Sequence, residues 1–276
     1  MDWPFVQGAR LVAVAATGSS TGTDLVDAQN SKPATPTQII ASTANDACGI
    51  VVTMTNMPTA TSCLVDIMIG GAGAEYVLLP DLMFTVATGA ECGDSYFFPI
   101  FVPKGSRLSG RVSSTAASGS YIAHVHLLEG APGFGFAPFS KVTAYGVTAA
   151  SSRGTNIDPG ASANTKPALP ATQLVASTAD PIYLMTVAIG QAGDFARTPA
   201  AQAWCDIDVG AGSSEFPVIQ NIGISFGTSK DAWRPGIPVQ NVPVWVPPGS
   251  RLSSHGQCSV TTAGDRLWDV VVYGVS

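Results

Sequence analysis

The sequence is poor in charge. Of its 276 residues only 12% are Asp, Glu, Lys or Arg, about half the usual share. A free monomer with so few charges has little to hold it in solution, so neighbouring subunits are expected to cover much of its surface. The net charge of −6 excludes nucleic-acid binding through phosphate neutralisation. No apolar run reaches membrane-spanning length, so no membrane partner is expected. The first residues, Met1-Asp2-Trp3-Pro4-Phe5, lack the basic-then-apolar pattern of a secretory signal. Asn-x-Ser/Thr acceptors are missing throughout.

Catalytic signatures are missing too. There is no Gly-x-Ser-x-Gly elbow, no Cys beside a His, no Walker A loop and no Gly-x-Gly-x-x-Gly between strand and helix, which removes the local signals of nucleophilic and nucleotide chemistry. The expectation is a protein that is not an enzyme and carries no cofactor. Five cysteines, Cys48, Cys63, Cys92, Cys205 and Cys258, are odd in number and contain no Cys-x-x-Cys. They read as buried thiols from a reducing place of synthesis.

What the chain does have is internal repetition, which outranks other signals when an architecture is being inferred. Asn30-Ser31-Lys32-Pro33-Ala34 followed by Thr37-Gln38-Ile39-Ile40-Ala41-Ser42-Thr43-Ala44 returns as Asn164-Thr165-Lys166-Pro167-Ala168 followed by Thr172-Gln173-Leu174-Val175-Ala176-Ser177-Thr178-Ala179. Asp66-Ile67-Met68-Ile69-Gly70 leading to Glu75 returns as Asp206-Ile207-Asp208-Val209-Gly210 leading to Glu215. Pro99-Ile100-Phe101-Val102-Pro103-Lys104-Gly105-Ser106-Arg107-Leu108-Ser109 returns as Pro243-Val244-Trp245-Val246-Pro247-Pro248-Gly249-Ser250-Arg251-Leu252-Ser253. The blocks keep their order while their spacing drifts by a few residues, as loop insertions would make it do.

Between the blocks run about eight strand-like segments per half, separated by Gly, Pro, Asn and Asp turns. With 29 Gly and 20 Pro and no long stretch of helical apolar period, the composition suits short strands. A brief helical turn is expected at Pro80-Asp81-Leu82-Met83 and around Asn221-Ile222. The predicted fold is all-β: two tandem homologous β-sandwich, jelly-roll-like domains over residues 1–133 and 134–276. An immunoglobulin-like sandwich fits less well because Cys…Trp…Cys spacing is lacking. The Gly/Pro-rich junction near Gly130–Phe139 carries three Phe, so it is expected to pack rather than swing.

Among so few charges, an arginine opening the same strand in both copies calls for a carboxylate present in both copies. Arg107 and Arg251 are therefore predicted to clamp onto Asp66/Asp206 or Glu75/Glu215, locking geometry through a bidentate pair. A ligand site is the competing reading. His124-x-His126 puts two rings on one strand face with Glu129 just after, close to the metal motif of cupins, but the spacing on both sides departs from it. These two histidines are the only metal candidates, weak ones. Asp180 and Asp206-x-Asp208 make no full calcium loop. Of the tryptophans Trp3, Trp204, Trp233, Trp245 and Trp268, the last two align with Phe101 and Tyr121 and are expected in the core. Trp233 lies in a stretch that repeat one lacks and is the expected exposed contact.

The string Asp66-Ile-x-Ile-Gly70-Gly-Ala-Gly-x-Glu75, the Leu-Leu-Pro-Asp-Leu after it, and Phe98-Pro-Ile-Phe-Val-Pro103-Lys-Gly-Ser-Arg107-Leu together resemble a family of structural proteins encoded by tailed bacteriophages and related gene transfer agents. The resemblance covers the core of both repeats, roughly two-thirds of the chain. It implies a virion component made in the host cytoplasm: a head decoration or spike, or a tail or fibre part. The implied partners are other virion proteins, further copies of the chain and, for some such parts, host-surface polysaccharide. No catalytic residue carries over. A free carbohydrate-binding protein and a cupin-like metalloenzyme are the alternatives from other classes.

Overall fold

A computed structural model of the chain describes residues 10–14, 22–58, 61–86, 95–130, 139–191, 201–210, 214–226 and 239–276. The first repeat contributes β1 (Arg10–Val14), β2 (Thr23–Asp24), β3 (Asp27–Gln29), β4 (Thr37–Ile40), β5 (Ala47–Asn56), β6 (Thr61–Ile69), β7 (Tyr76–Val86), β8 (Ser95–Phe98), β9 (Leu108–Ser114) and β10 (Ile122–Glu129). The second contributes β11 (Val142–Tyr145), β12 (Val147–Thr148), β13 (Arg153–Ile157), β14 (Thr172–Val175), β15 (Ile182–Gln191), β16 (Ala201–Gly210), β17 (Phe216–Phe226), β18 (Val239–Val246), β19 (Arg251–Cys258) and β20 (Trp268–Val275). Among the described residues the one complete helical element is a 3-10 turn, Ala149–Ser151, and no helix is long and apolar enough to cross a membrane.

Each repeat folds into two facing sheets. In repeat one the orders are β1-β10-β5-β8 and β4-β9-β6-β7; in repeat two they are β11-β20-β15-β18 and β14-β19-β16-β17. All of these neighbours pair antiparallel. Numbering the eight principal strands of a repeat in chain order gives 1-8-3-6 facing 2-7-4-5, the jelly-roll arrangement. In each copy the first strand of that series is interrupted, and a second short segment continues it along the last strand: β2 on β10, and β13 on β20.

Strand periodicity explains the layers. Along β10, Ala123, Val125 and Leu127 enter the core while His124 and His126 stay half-exposed, as alternation requires of a strand covered on one face. Its counterpart β20 is buried at every position. Trp268, Val270 and Val272 point into the core of repeat two, whereas Val271, Tyr273 and Val275 join the core of repeat one. Leu184, Ala188 and Val142 do the same from β15 and β11. The four sheets therefore stack as successive layers, with an outer face of repeat two seated on an outer face of repeat one.

That seat uses edge chemistry. β7 ends its sheet, so its outward backbone groups need partners. The Tyr273 hydroxyl accepts from the Met83 N–H at 2.7 Å and donates to the Asp81 carbonyl at 2.9 Å. The Tyr96 hydroxyl donates to the Met83 carbonyl. Burial pushes the Tyr273 phenol well above its ordinary range, which keeps it a neutral donor. Gly190 lies against Met83 and Thr85, where a Cβ would come within 2.9 Å of the Met83 side chain. Ser113 and Ser152 bond across the same seam at 2.6 Å.

The helical turn expected at Pro80–Met83 is not formed. These residues lie within β7, and Asp81 takes a left-handed φ of 50° at a break in the β6–β7 register; Asn221 repeats this at 54° in β17. A bulge supplies the local kink that the Pro-Asp text suggested. The residue 133/134 boundary and most of the junction fall outside the described residues, but Phe139 is packed against the first core.

Candidate functional site

Both arginines of the duplicated turn find a glutamate. Arg107 pairs with Glu75 and Arg251 with Glu215. Each guanidinium also donates through Nε to a glutamine of the Thr-Gln block, Gln38 at 3.1 Å and Gln173 at 3.2 Å. The glutamates complete the corner by accepting backbone N–H bonds, Glu75 from Gly73 and Glu215 from Ala171. The clusters tie the starts of β7, β9 and β4, and of β17, β19 and β14, at the same corner of each sandwich.

Asp66 and Asp206 do not join these arginines, which corrects one alternative. They serve a second duplicated cluster built on the lysine of the Asn-Ser/Thr-Lys-Pro-Ala block. Lys32 Nζ sits 2.8 Å from Asp66 and 3.1 Å from Asp81. Lys166 Nζ sits 2.5 Å from Asp206 and 2.9 Å from Asn221 Oδ1. The same aspartates accept the backbone N–H of the left-handed bulge residue, at 3.0 Å from Asp81 and 2.7 Å from Asn221. The lysines were visible in the repeat, but nothing local said that they close over the aspartates; only the fold brings β6 beneath that loop. Arg111 adds a further contact to Asp66 at 3.0 Å, and His255 takes the matching place in repeat two, 2.7 Å from Asp208. A cleft of about 440 Å³ lies over Lys32, Asp66, Asp81 and Arg111, and its charged groups are already engaged with one another.

The His-x-His reading is overturned by strand parity. His124 and His126 face outward, His124 bonding Thr55 Oγ1 at 2.8 Å. Glu129 is buried on the opposite side, bonded to Arg10 at 2.8 Å and Asn45 at 2.9 Å, so the three groups do not converge. Burial, and then the neighbouring His124, lower the His126 pKa. Asp180 pairs with Lys141, away from the partners that hold Asp206 and Asp208. Among the described residues, no group of three His, Cys, Asp or Glu side chains is arranged to hold a metal. Cys63, Cys205 and Cys258 are buried thiols, while Cys48 is only half-buried. Cys92 and Trp233 lie outside the described residues.

Trp268 is fully buried, but Trp245 and Phe101 are not core residues. Trp245 is 64% exposed and Phe101 39%. The reason is the two-residue period: Val246 and Val102 are buried next to them, so the ring between inward positions must point out. Trp245 lies 5.4 Å, centroid to centroid, from Tyr183, itself 42% exposed, and Tyr183 lies 6.1 Å from Phe139. Phe101 meets the same row through its N–H to the Phe139 carbonyl. Lys141 and Asp180, two residues after Phe139 and three before Tyr183, form a solvent-accessible ion pair at 2.5 Å. The arrangement is a line of apolar ring surface with a polar donor and acceptor beside it. Sequence reading missed Phe139 and Tyr183, because they come from the junction and from the start of β15 and meet only in space.

No protein-family model matches the chain, and no curated protein matches it. Among solved structures it is similar to PNGF-II, with 9% identity and a TM-score of 0.32 over 98% of this chain and 66% of that one. It is similar at the same identity and score to PNGase F, a glycosylasparaginase from Flavobacterium meningosepticum, over 97% of this chain and 96% of that one. At this distance no residue, substrate or activity transfers.

Proposed function

We propose that the chain is a non-enzymatic structural component of a phage or phage-like particle, a head decoration or spike or a tail or fibre part, and that its aromatic row contacts host-surface glycan. The observation that carries the reading is the exposed pair Tyr183–Trp245, continued inward by half-buried Phe139, with the Lys141–Asp180 ion pair close by in sequence. Aromatic faces take up the apolar faces of sugar rings at low conformational cost, and neighbouring charged groups can bond sugar hydroxyls. The duplicated ion-pair clusters support a scaffold role, since their charges are satisfied internally. The sequence resemblance to virion proteins and the low surface charge point the same way.

The test has two arms. The particle encoded by the same genome is purified and probed for this chain, and the protein is titrated with polysaccharide extracted from the host surface. Tyr183→Ala with Trp245→Ala should abolish glycan binding and leave the circular dichroism spectrum unchanged. Absence from the particle would overturn the particle role, and equal binding by the double variant would overturn the site. A free carbohydrate-binding protein is the second reading, favoured by the same row; it predicts binding without co-purification.

A further inference from the structure

The two repeats meet through unlike faces. Repeat two docks with the outer face of β11-β20-β15, and repeat one receives it on the outer face of β9-β6-β7 and along the edges of β7 and β8, where Gln240 and Asn241 of β18 bond Ser95 and Phe97. Among the described residues, no element covers the outer face of β1-β10-β5 in repeat one or the Trp204 end of the outer face of β19-β16-β17 in repeat two, whose other end lies under Lys166. Superposing the strand pairings makes the contrast residue by residue. Leu64 of β6, wholly buried under repeat two, corresponds to Trp204 of β16, 45% exposed. Met83 and Thr85 of β7, both buried, correspond to Gly223 and Ser225 of β17, both exposed. On the other side Val142 of β11, 5% exposed, corresponds to Leu11 of β1, 55% exposed. Val271 and Tyr273, buried at the seam, correspond to the half-exposed His124 and His126.

We propose that these two uncovered faces bind each other between copies of the chain, so that the outer β1-β10-β5 face of one molecule seats on the outer β19-β16-β17 face of the next. The occupant is a second copy because the contact continues, between chains, the one the chain already makes within itself. Chemistry agrees. The exposed and half-exposed outer positions on one side include Leu11, Val51, Thr53, His124, His126 and Leu128, and on the other, around Trp204, they include Gln202, Gly223, Ser225 and Gln257. The charges further along that second face are already closed on one another, Lys166 on Asp206 and His255 on Asp208, so docking over Trp204 strands no unpaired charge. Trp204 lies against Gly223, where a Cβ would sit 3.4 Å from the indole Cζ3; tryptophan is among the residues enriched in binding hot spots. Because the two faces differ, the contact is head-to-tail and builds a ring or an open stack rather than an isolated two-fold dimer.

The inference goes beyond the proposed role and does not depend on glycan contact. Its test is complementation by analytical ultracentrifugation of the full chain. Trp204→Glu spoils one face and Leu11→Glu the other; both sites are exposed, and thermal unfolding checks that each variant folds. Wild type should sediment as species larger than a dimer. Each variant alone should be monomeric, its association weakened more than about 30-fold. Mixed together, the variants should form a heterodimer and nothing larger, since one good pair of faces remains. A monomeric wild type, a variant that still assembles, or a mixture that stays monomeric would each overturn the proposal. Glycan binding should be unaltered in both variants, which separates this failure from failure of the aromatic row.

Discussion

Removing one oxygen atom, by Tyr273→Phe, probes the seat of repeat two on repeat one. The hydroxyl satisfies two backbone groups of edge strand β7, the Met83 N–H and the Asp81 carbonyl, at 2.7 and 2.9 Å. Its ring packs edge-on against Tyr96 and Phe98, with centroids 5.6 and 5.7 Å apart, and phenylalanine keeps those contacts. The loss is therefore confined to hydrogen bonding. A buried backbone group left without a partner costs about 1–3 kcal/mol. Two such groups, offset by no longer burying the hydroxyl, give an expected destabilisation of about 2–4 kcal/mol. For a chain this long, each kcal/mol lowers Tm by about 2–4 °C, so a fall of roughly 4–16 °C is expected. Urea denaturation followed by tryptophan fluorescence measures it. The wild type should unfold in one transition, because the core of repeat one contains side chains of repeat two; the variant should show a lower midpoint or separate into two. A change below about 0.5 kcal/mol with one transition retained would refute the reasoning, since surface-like substitutions produce no more.

Three further outcomes follow from the buried charges. Lys166→Ala strips Asp206 of its main cation in a site where the carboxylate is only 3% exposed, so stability should drop by about 3 kcal/mol, read by the same denaturation assay. Arg251→Ala leaves Glu215 without its guanidinium and should cost about 3–5 kcal/mol while glycan binding stays intact; a loss of binding with no loss of stability would mean that the cluster is a ligand site. Burial raises the Asp269 pKa to about 7 from 3.8, against the pull of Arg153 and Asn156. A carboxyl raised in this way binds a proton in the folded chain that the unfolded chain has already released. Stability should therefore decline as pH rises from about 4 to about 7 and level off above that, and Asp269→Asn should flatten this part of the pH–stability curve.

Much of this was legible in the chain because duplicated text marks duplicated geometry. The Gly-Ser-Arg-Leu-Ser turn recurs since the same corner recurs, and Arg107 with Glu75 and Arg251 with Glu215 fill it with the same ion pair. The eight principal strands of each repeat followed from turn residues, while short β2, β3 and β13 did not. Other features needed the third dimension. Alignment with Phe101 suggests a core place for Trp245, yet its position between Val244 and Val246 argues for an outward ring; alternation outweighs bulk. The docking of the repeats had a faint signal too. β10 alternates as Ile-Ala-His-Val-His-Leu, with polar histidines outward, while β20 reads Trp-Asp-Val-Val-Val-Tyr-Gly-Val, the continuous apolar run of a strand buried on both faces. The lysine–aspartate clusters could not be read locally, because Lys32 and Asp66, or Lys166 and Asp206, meet only when the loop before β4 or β14 folds over the sheet.

Cryo-electron microscopy of the particle encoded by the same genome tests the central claim most directly. The account predicts density for tandem jelly rolls in the assembled particle, neighbouring copies in contact through Trp204 and Leu11, and the Phe139–Tyr183–Trp245 row turned to solvent. A complete particle without this chain, or one in which the aromatic row is buried against another subunit, would contradict it.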